Sequence, residues 1–138
     1  SGKYGYSILN PAAQAGAIPL AIHPAMKFTG TSPDTARIRE SYFAVSAPAV
    51  ALPIAQALVI EMGAEPITIA EENRAQYFEA ISVASSFSSM IVNQSIGLLE
   101  EIGIEPAASV LSPLIRSSVE VALSQGHQPI DPTELLDK

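Results

Sequence analysis

Short apolar segments alternate with amphipathic segments in the first half of the chain. Three runs have the apolar, aromatic or β-branched composition of strands, namely residues 18–22, 42–45 and 66–69. Three other stretches predict helices, namely residues 6–15, 33–39 and 48–62. The strand, helix and strand over residues 42–69 predict a βαβ unit with parallel strands and a right-handed crossover.

The pattern changes after residue 71, where no further strand is predicted. One helical pattern continues to Ile102 and ends at Gly103, which predicts a helix of roughly 45–50 Å. Its apolar positions surround most of its middle, so it requires packing partners on more than one face. A second helix is predicted over residues 106–124, and Pro113 is expected to kink or divide it.

His23 is the most informative single residue of the first half. It follows the predicted strand over residues 18–22, and Pro24 keeps the chain extended at His23. If all three strands end at one edge, the imidazole lies at the edge where α/β sheets bind ligands, beside the start of the long helix. The alternative is a surface histidine that only ends the strand.

Composition excludes several classes of protein. The chain has 138 residues, 48% hydrophobic and 15% charged, with a net charge of −7, so it is too apolar to be disordered. It has no basic cluster, which argues against nucleic-acid binding. It has no cysteine and its two histidines are far apart in sequence, so no metal site is expected. The absence of cysteine is consistent with a cytoplasmic protein.

Residues 80–99 form an uncharged segment as long as a membrane span. The segment is rich in serine and contains Asn93 and Gln94, which are costly against lipid, so we expect a helix buried in protein and no membrane association. A buried Asn93 needs a hydrogen-bonding partner, which is a neighbouring helix, a water molecule or a ligand.

Common catalytic motifs are absent. The sequence contains no Gly-x-Gly-x-x-Gly, no Gly-x-x-x-x-Gly-Lys-Ser/Thr and no Gly-x-Ser-x-Gly. The chain therefore lacks a standard phosphate-binding turn, and we do not expect it to bind a dinucleotide alone.

Several motifs resemble one bacterial family of two-domain proteins. They are His23-Pro24-Ala25-Met26-x-Phe28-Thr29-Gly30, the preceding residues 16–21, residues 57–66, Glu72-Asn73-Arg74-Ala75-x-Tyr77 and the opening Ser1-Gly2. The family joins an N-terminal Rossmann-like domain to a C-terminal helical domain known as domain of unknown function 2520. Its members are similar to deazaflavin-dependent NADP oxidoreductases and pyrroline-5-carboxylate reductase, and more remotely to 6-phosphogluconate dehydrogenase.

The resemblance implies that this chain is the C-terminal half of such a protein. Residues 1–71 would complete a Rossmann-like sheet, residues 72–126 would form an all-α domain of the 6-phosphogluconate dehydrogenase C-terminal type, and residues 127–138 a tail. The resemblance implies that His23 is catalytic. It implies that an NADP or NAD cofactor is bound by Ser1, Gly2 and Pro24, and that a substrate pocket is lined by Lys27, Ser86 and Asn93.

Two functions remain open at this stage. In the first, the chain belongs to an NAD(P)-dependent oxidoreductase acting on a small molecule, with its helical half forming a homodimer and the substrate wall. In the second, it is a helical dimerisation module without chemistry. The family usually has His where this chain has Phe78, and an Asn-His pair at Ser86-Phe87, which favours the second function.

Overall fold

The chain forms a small mixed α/β region followed by long helices. The computed structural model describes residues 2–129, so Ser1 and the end of the tail, residues 130–138, lie outside the described residues. The helices are α1 (Asn10–Gln14), α2 (Pro33–Ile38), α3 (Leu52–Glu61), α4 (Arg74–Glu101) and α5 (Ala107–Gln125). The strands are β1 (Ala21–Pro24), β2 (Tyr42–Ser46) and β3 (Glu65–Thr68), and short 3₁₀ turns precede α1 and α4.

The three strands form one mixed sheet in the order β1-β2-β3. β2 and β3 are parallel and joined through α3, which confirms the predicted βαβ unit. The prediction that all three strands end at one edge is wrong, because β1 runs antiparallel to β2. The link between them, residues 25–41, contains only the short α2, and the chain turns back beside β1 instead of crossing over the sheet.

The strand β1 also begins and ends later than the apolar pattern suggests. His23 and Pro24 are within the strand, and His23 pairs with Ala44 of β2. Proline is tolerated here because β1 is an edge strand within the described sheet, where a missing N–H donor breaks no central ladder.

The core lies between one face of the sheet and α3. Phe43 and Val45 of β2 pack against Ala55 and Val59 of α3, and Ala64 completes this buried cluster. Side chains alternate along a strand, so the neighbouring Ser46 faces the opposite side of the sheet. That second face receives the first turn of α4.

The chain divides into two compact units, Ser1–Phe87 and Ser88–Lys138. The sheet and the first half of α4 belong to the first unit, and the second half of α4 and α5 to the second. The predicted domain division after residue 71 stays a prediction. α5 continues through Pro113 without a break, so the proline does not divide it.

The second unit buries very little in the described part of the chain. Its only fully buried side chain there is Ala107, while large apolar residues of both helices are exposed. No helix within residues 2–129 has the length and apolar character that crossing a membrane requires.

Candidate functional site

A histidine–tyrosine pair joins the edge strand to the long helix. His23 Nδ1 lies 2.8 Å from the Tyr77 hydroxyl oxygen. The rings meet edge to face, with centroids 5.6 Å apart and an interplanar angle of 82°. His23 therefore lies beside the start of α4, as the sequence predicts, although β1 reaches this place from the opposite direction.

Arg74 holds the first turn of α4 against the second face of the sheet. Its side chain is 1% exposed, and Nη1 is 3.5 Å from the Ala44 carbonyl oxygen and 3.3 Å from Ser46 Oγ. The Ser46 hydroxyl donates in turn to the Ile69 carbonyl oxygen, at 2.5 Å. A buried cation is costly unless polar groups surround it, so these contacts fix where α4 begins.

The same guanidinium lies over the Tyr77 ring, with its central carbon 5.8 Å from the ring centroid. This distance is within the range of a cation–π contact. The strand, the cation, the phenol and the imidazole therefore form one connected cluster, which we call the His23–Tyr77–Arg74 cluster.

The electrostatics of the cluster keep the pair uncharged at neutral pH. Burial lowers the pKa of His23 from its usual 6.5, and the positive charge of Arg74 acts in the same direction. Burial also raises the pKa of Tyr77, partly offset by Arg74. The 2.8 Å contact therefore joins a neutral imidazole to a neutral phenol, in either of the two histidine tautomers.

Gly2 packs directly against the imidazole. A Cβ atom at this position would lie 2.9 Å from His23 Cε1 and 3.0 Å from Phe78 Cδ2, closer than side chains normally approach. Nearby, the Glu71 carboxylate accepts a hydrogen bond of 2.7 Å from the Ser7 amide. These contacts hold the N-terminal segment of the described chain against the start of α4.

The loop after β1 is fixed by Asp34. Its carboxylate accepts hydrogen bonds from the Thr29 and Gly30 amides, both at 2.8 Å, and from Arg37 at 3.0 Å. Burial acts to raise the pKa of Asp34, but these bonds and the one from the Thr29 hydroxyl outweigh it and lower the pKa to about 2. Gly30 adopts a φ of 73°, a conformation that favours glycine.

Two open grooves lie in the first unit, and Tyr77 lines the smaller of them. One, of about 450 Å³, is lined by Ala25, Met26, Lys27, Ile81, Ala84 and Ser85. The other, of about 330 Å³, is lined by Ile69, Asn73, Gln76, Tyr77 and Ala80. Both volumes are in the range of small-molecule sites. Within residues 2–129, no three His, Cys, Asp or Glu side chains cluster as a metal site requires.

The structure brings together some of the residues selected from the sequence. Gly2 packs against His23, which precedes Pro24 on β1, and Lys27 lines the larger groove. Ser86 is exposed on α4, and Asn93 is exposed in the second unit. Ser1 lies outside the described residues. The roles of all these residues stay predictions.

Sequence reasoning missed Tyr77 and Arg74 as site residues. An aromatic residue such as Tyr77 on a long apolar helix usually indicates core packing. The available signal was the motif Glu72-Asn73-Arg74-Ala75-x-Tyr77, which puts a cation and a phenol one turn apart on a helix. Nothing in the sequence pairs that motif with His23.

Comparison with known proteins gives the fold and the family. A similar solved structure is that of protein TM1727 from Thermotoga maritima, with a TM-score of 0.69 and 19% sequence identity. The similarity covers 88% of this chain and 47% of that protein, so the chain spans about half of its length. No curated protein matches the chain. The model of the domain of unknown function DUF2520 matches residues 41–130, most of the chain. The chain therefore belongs to the DUF2520 family.

Proposed function

We propose that this chain is the C-terminal portion of an NAD(P)-dependent oxidoreductase acting on a small molecule. The observation that carries the proposal is the His23–Tyr77 pair, held at 2.8 Å beside a buried Arg74 and bordered by the open groove that Tyr77 lines. An imidazole and a phenol within hydrogen-bonding distance of each other are the groups that proton transfer to a substrate in this groove requires.

The residues present suit only one end of a dinucleotide. The Gly2 backbone lies directly against the His23 imidazole and the Phe78 ring, so the start of the described chain belongs to the surroundings of His23. The sequence has no glycine-rich turn for a pyrophosphate. In the proposed enzyme, Ser1, Gly2 and Pro24 meet the nicotinamide end of NADP or NAD, and a preceding domain binds the phosphates.

The cluster supplies the proton in the proposed reaction. NADPH or NADH, when bound, would supply the hydride for a substrate carbon. The Tyr77 hydroxyl then gives its proton to the substrate oxygen or nitrogen that gains the electron pair. The resulting phenolate accepts a hydrogen bond from His23 Nδ1–H and lies beside the positive charge of Arg74, 5.8 Å from its ring. Solvent returns the proton afterwards.

We further propose that the helical half forms a homodimer, in an all-α arrangement of the 6-phosphogluconate dehydrogenase C-terminal type. Ile91, Leu98 and Ile102 of α4 are 63%, 58% and 72% exposed, and Leu114 and Leu123 of α5 are 62% and 78% exposed. Monomers rarely leave so much contiguous apolar surface in water, and two-fold pairing is the commonest solution.

The second candidate function is a dimerisation module without catalysis. It is favoured by Phe78, an apolar ring packed near His23 and Gly2 where the resembling family usually has a histidine. The two functions share the dimer and differ only in whether the His23–Tyr77–Arg74 cluster meets a cofactor and a substrate.

Calorimetric titration of NADPH and NADH separates the two functions. The longer protein that includes a preceding dinucleotide-binding domain is expected to bind one of them. Its His23→Ala variant should bind about fivefold more weakly, the equivalent of one lost contact of about 1 kcal/mol. The 138-residue chain alone is expected not to bind.

Low-micromolar binding of NADPH by the 138-residue chain alone would contradict the proposal that a preceding domain binds the phosphates. A preceding sequence without a Gly-x-Gly-x-x-Gly turn between a strand and a helix would leave only the dimerisation module.

A further inference from the structure

The larger groove combines an apolar wall with a single cation. Ala25 and Met26 of the loop after β1 face Ile81 and Ala84 of α4, and Lys27 supplies the only charged group in the lining. Such a groove fits a ligand with an apolar body and one group that pairs with an ammonium.

Lys27 has no acidic partner in the part of the chain that the structure describes. Within residues 2–129, no carboxylate oxygen lies within 4.0 Å of its Nζ atom; the ion pair found there joins Arg37 to Asp34. The backbone that carries Lys27 is nevertheless held in place, because Asp34 fixes the following Thr29 and Gly30 amides. The cation is thus exposed on a well-anchored loop, without a carboxylate partner among residues 2–129.

The number of donors favours a carboxylate over a phosphate. Phosphate sites usually combine several backbone amides or arginine forks, whereas this groove has one ammonium and the Ser85 hydroxyl. One ammonium matches a single negative charge. From these observations we infer that the groove between the loop after β1 and α4 binds a small carboxylic acid with an apolar body, and that Lys27 is its counter-ion.

The groove follows the His23–Tyr77 pair along both elements that form it. Lys27 is four residues after His23, and Ile81 is four residues after Tyr77, one turn further along α4. The groove therefore follows the pair in sequence on both elements, while its own lining contains neither His23 nor Tyr77. The claim that the acid is a substrate rests on the proposed oxidoreductase function. The claim that the groove binds the acid does not, and it is tested without any cofactor.

Two-dimensional NMR titration of the 138-residue chain with octanoate and with octanamide tests the inference. The two probes share an apolar body and differ in charge. We expect the amide signals of residues 25–27 and 81–85 to shift with both, and octanoate to bind roughly fivefold more tightly, as expected for an exposed ion pair.

Three variants complete the test. Lys27→Gln should abolish the preference for octanoate and leave octanamide binding unchanged. Lys3→Gln removes the same charge outside the groove and should keep the preference. Ala84→Leu adds bulk to the wall and should weaken both probes, with an unchanged circular dichroism spectrum as the check on folding.

Equal affinities for octanoate and octanamide would overturn the inference, as would a preference retained in Lys27→Gln. Shifts confined to the apolar groove of Val92, Ile96 and Leu111 in the second unit would overturn it too. None of these results changes the dinucleotide titration, so failure of this inference is distinguishable from failure of the proposed function.

Discussion

His23 on β1 and Tyr77 on α4 are 54 positions apart in sequence, yet His23 Nδ1 and the Tyr77 hydroxyl oxygen lie 2.8 Å apart. This contact ties the edge strand to the long helix, and Arg74 ties the same helix turn to the central strand. The two contacts place a neutral acid–base pair next to the open groove that Tyr77 lines, on which both the proposed chemistry and several measurable properties depend.

Removing the Tyr77 hydroxyl should weaken the attachment of α4 to β1. Tyr77→Phe keeps the ring but loses the hydrogen bond, and we expect a loss of about 1 kcal/mol in the free energy of unfolding. Urea denaturation followed by circular dichroism measures it, since the chain has no tryptophan. Tyr42→Phe, on a ring that is 54% exposed, is the control and should change little. Equal effects of the two substitutions would contradict the importance of the pair.

The lowered pKa of His23 predicts that stability falls in mild acid. A group whose pKa is lower in the folded state binds protons more readily when unfolded, so protonation favours unfolding as the pH drops below 6.5. The urea midpoint should therefore fall between pH 7 and pH 5. His23→Gln should remove part of that fall, whereas His127→Gln should leave it intact. An NMR titration showing the His23 pKa above 6.5 would refute this prediction.

Asp34 should also destabilise the fold as the pH falls, but in a more acidic range than His23. Its folded pKa of about 2 lies below its usual 3.8, so its contribution to stability is complete above about pH 4 and is lost as the pH falls through about 2. Asp34→Asn should lower the urea midpoint at pH 7 and flatten its decline between pH 4 and pH 2. A decline of unchanged slope in the variant would show that other carboxylates control acid unfolding.

The buried Arg74 should be among the most sensitive positions of the first unit. Arg74→Ala removes contacts to Ala44 and Ser46 and leaves space behind, so we expect a loss of about 2–3 kcal/mol in the free energy of unfolding. Arg39→Ala, at an exposed arginine, is the matched control and should stay within about 0.5 kcal/mol of the wild type. Similar losses in both would mean that the guanidinium contacts contribute nothing specific.

The exposed apolar surface of the second unit predicts self-association. Light scattering over a concentration series should show a dimer, and Ile91→Glu should shift it to monomer by placing a charge on a side chain that is 63% exposed. Asn93→Asp adds the same charge at an exposed polar position on the opposite side of α4 and should leave the dimer intact. A wild-type chain that stays monomeric at high micromolar concentration would exclude this interface.

The roles expected of Ser86 and Asn93 illustrate how far sequence patterns reach. Ser86 was selected through the family resemblance and Asn93 as a polar residue in an apolar stretch; both are exposed in the structure, and their roles stay predictions. A helix that is apolar around its circumference indicates that it needs partners. It does not indicate which residues those partners cover, because that depends on chains and elements far away in sequence.

The elements themselves were determined by local sequence. Gly63 and Gly103 end α3 and α4 with φ values of 84° and 86°, and the βαβ unit follows from the spacing of apolar runs around α3. These features depend on residues close together in the chain, whose conformational preferences are nearly independent of the rest of the fold. Only the tertiary structure decided that β1 runs antiparallel to β2 and that His23, Tyr77 and Arg74 meet. The direction of β1 depends on how the segment between β1 and β2 turns. The meeting of the three side chains depends on which polar groups surround the buried Arg74. Both are determined by packing between parts of the chain that are distant in sequence.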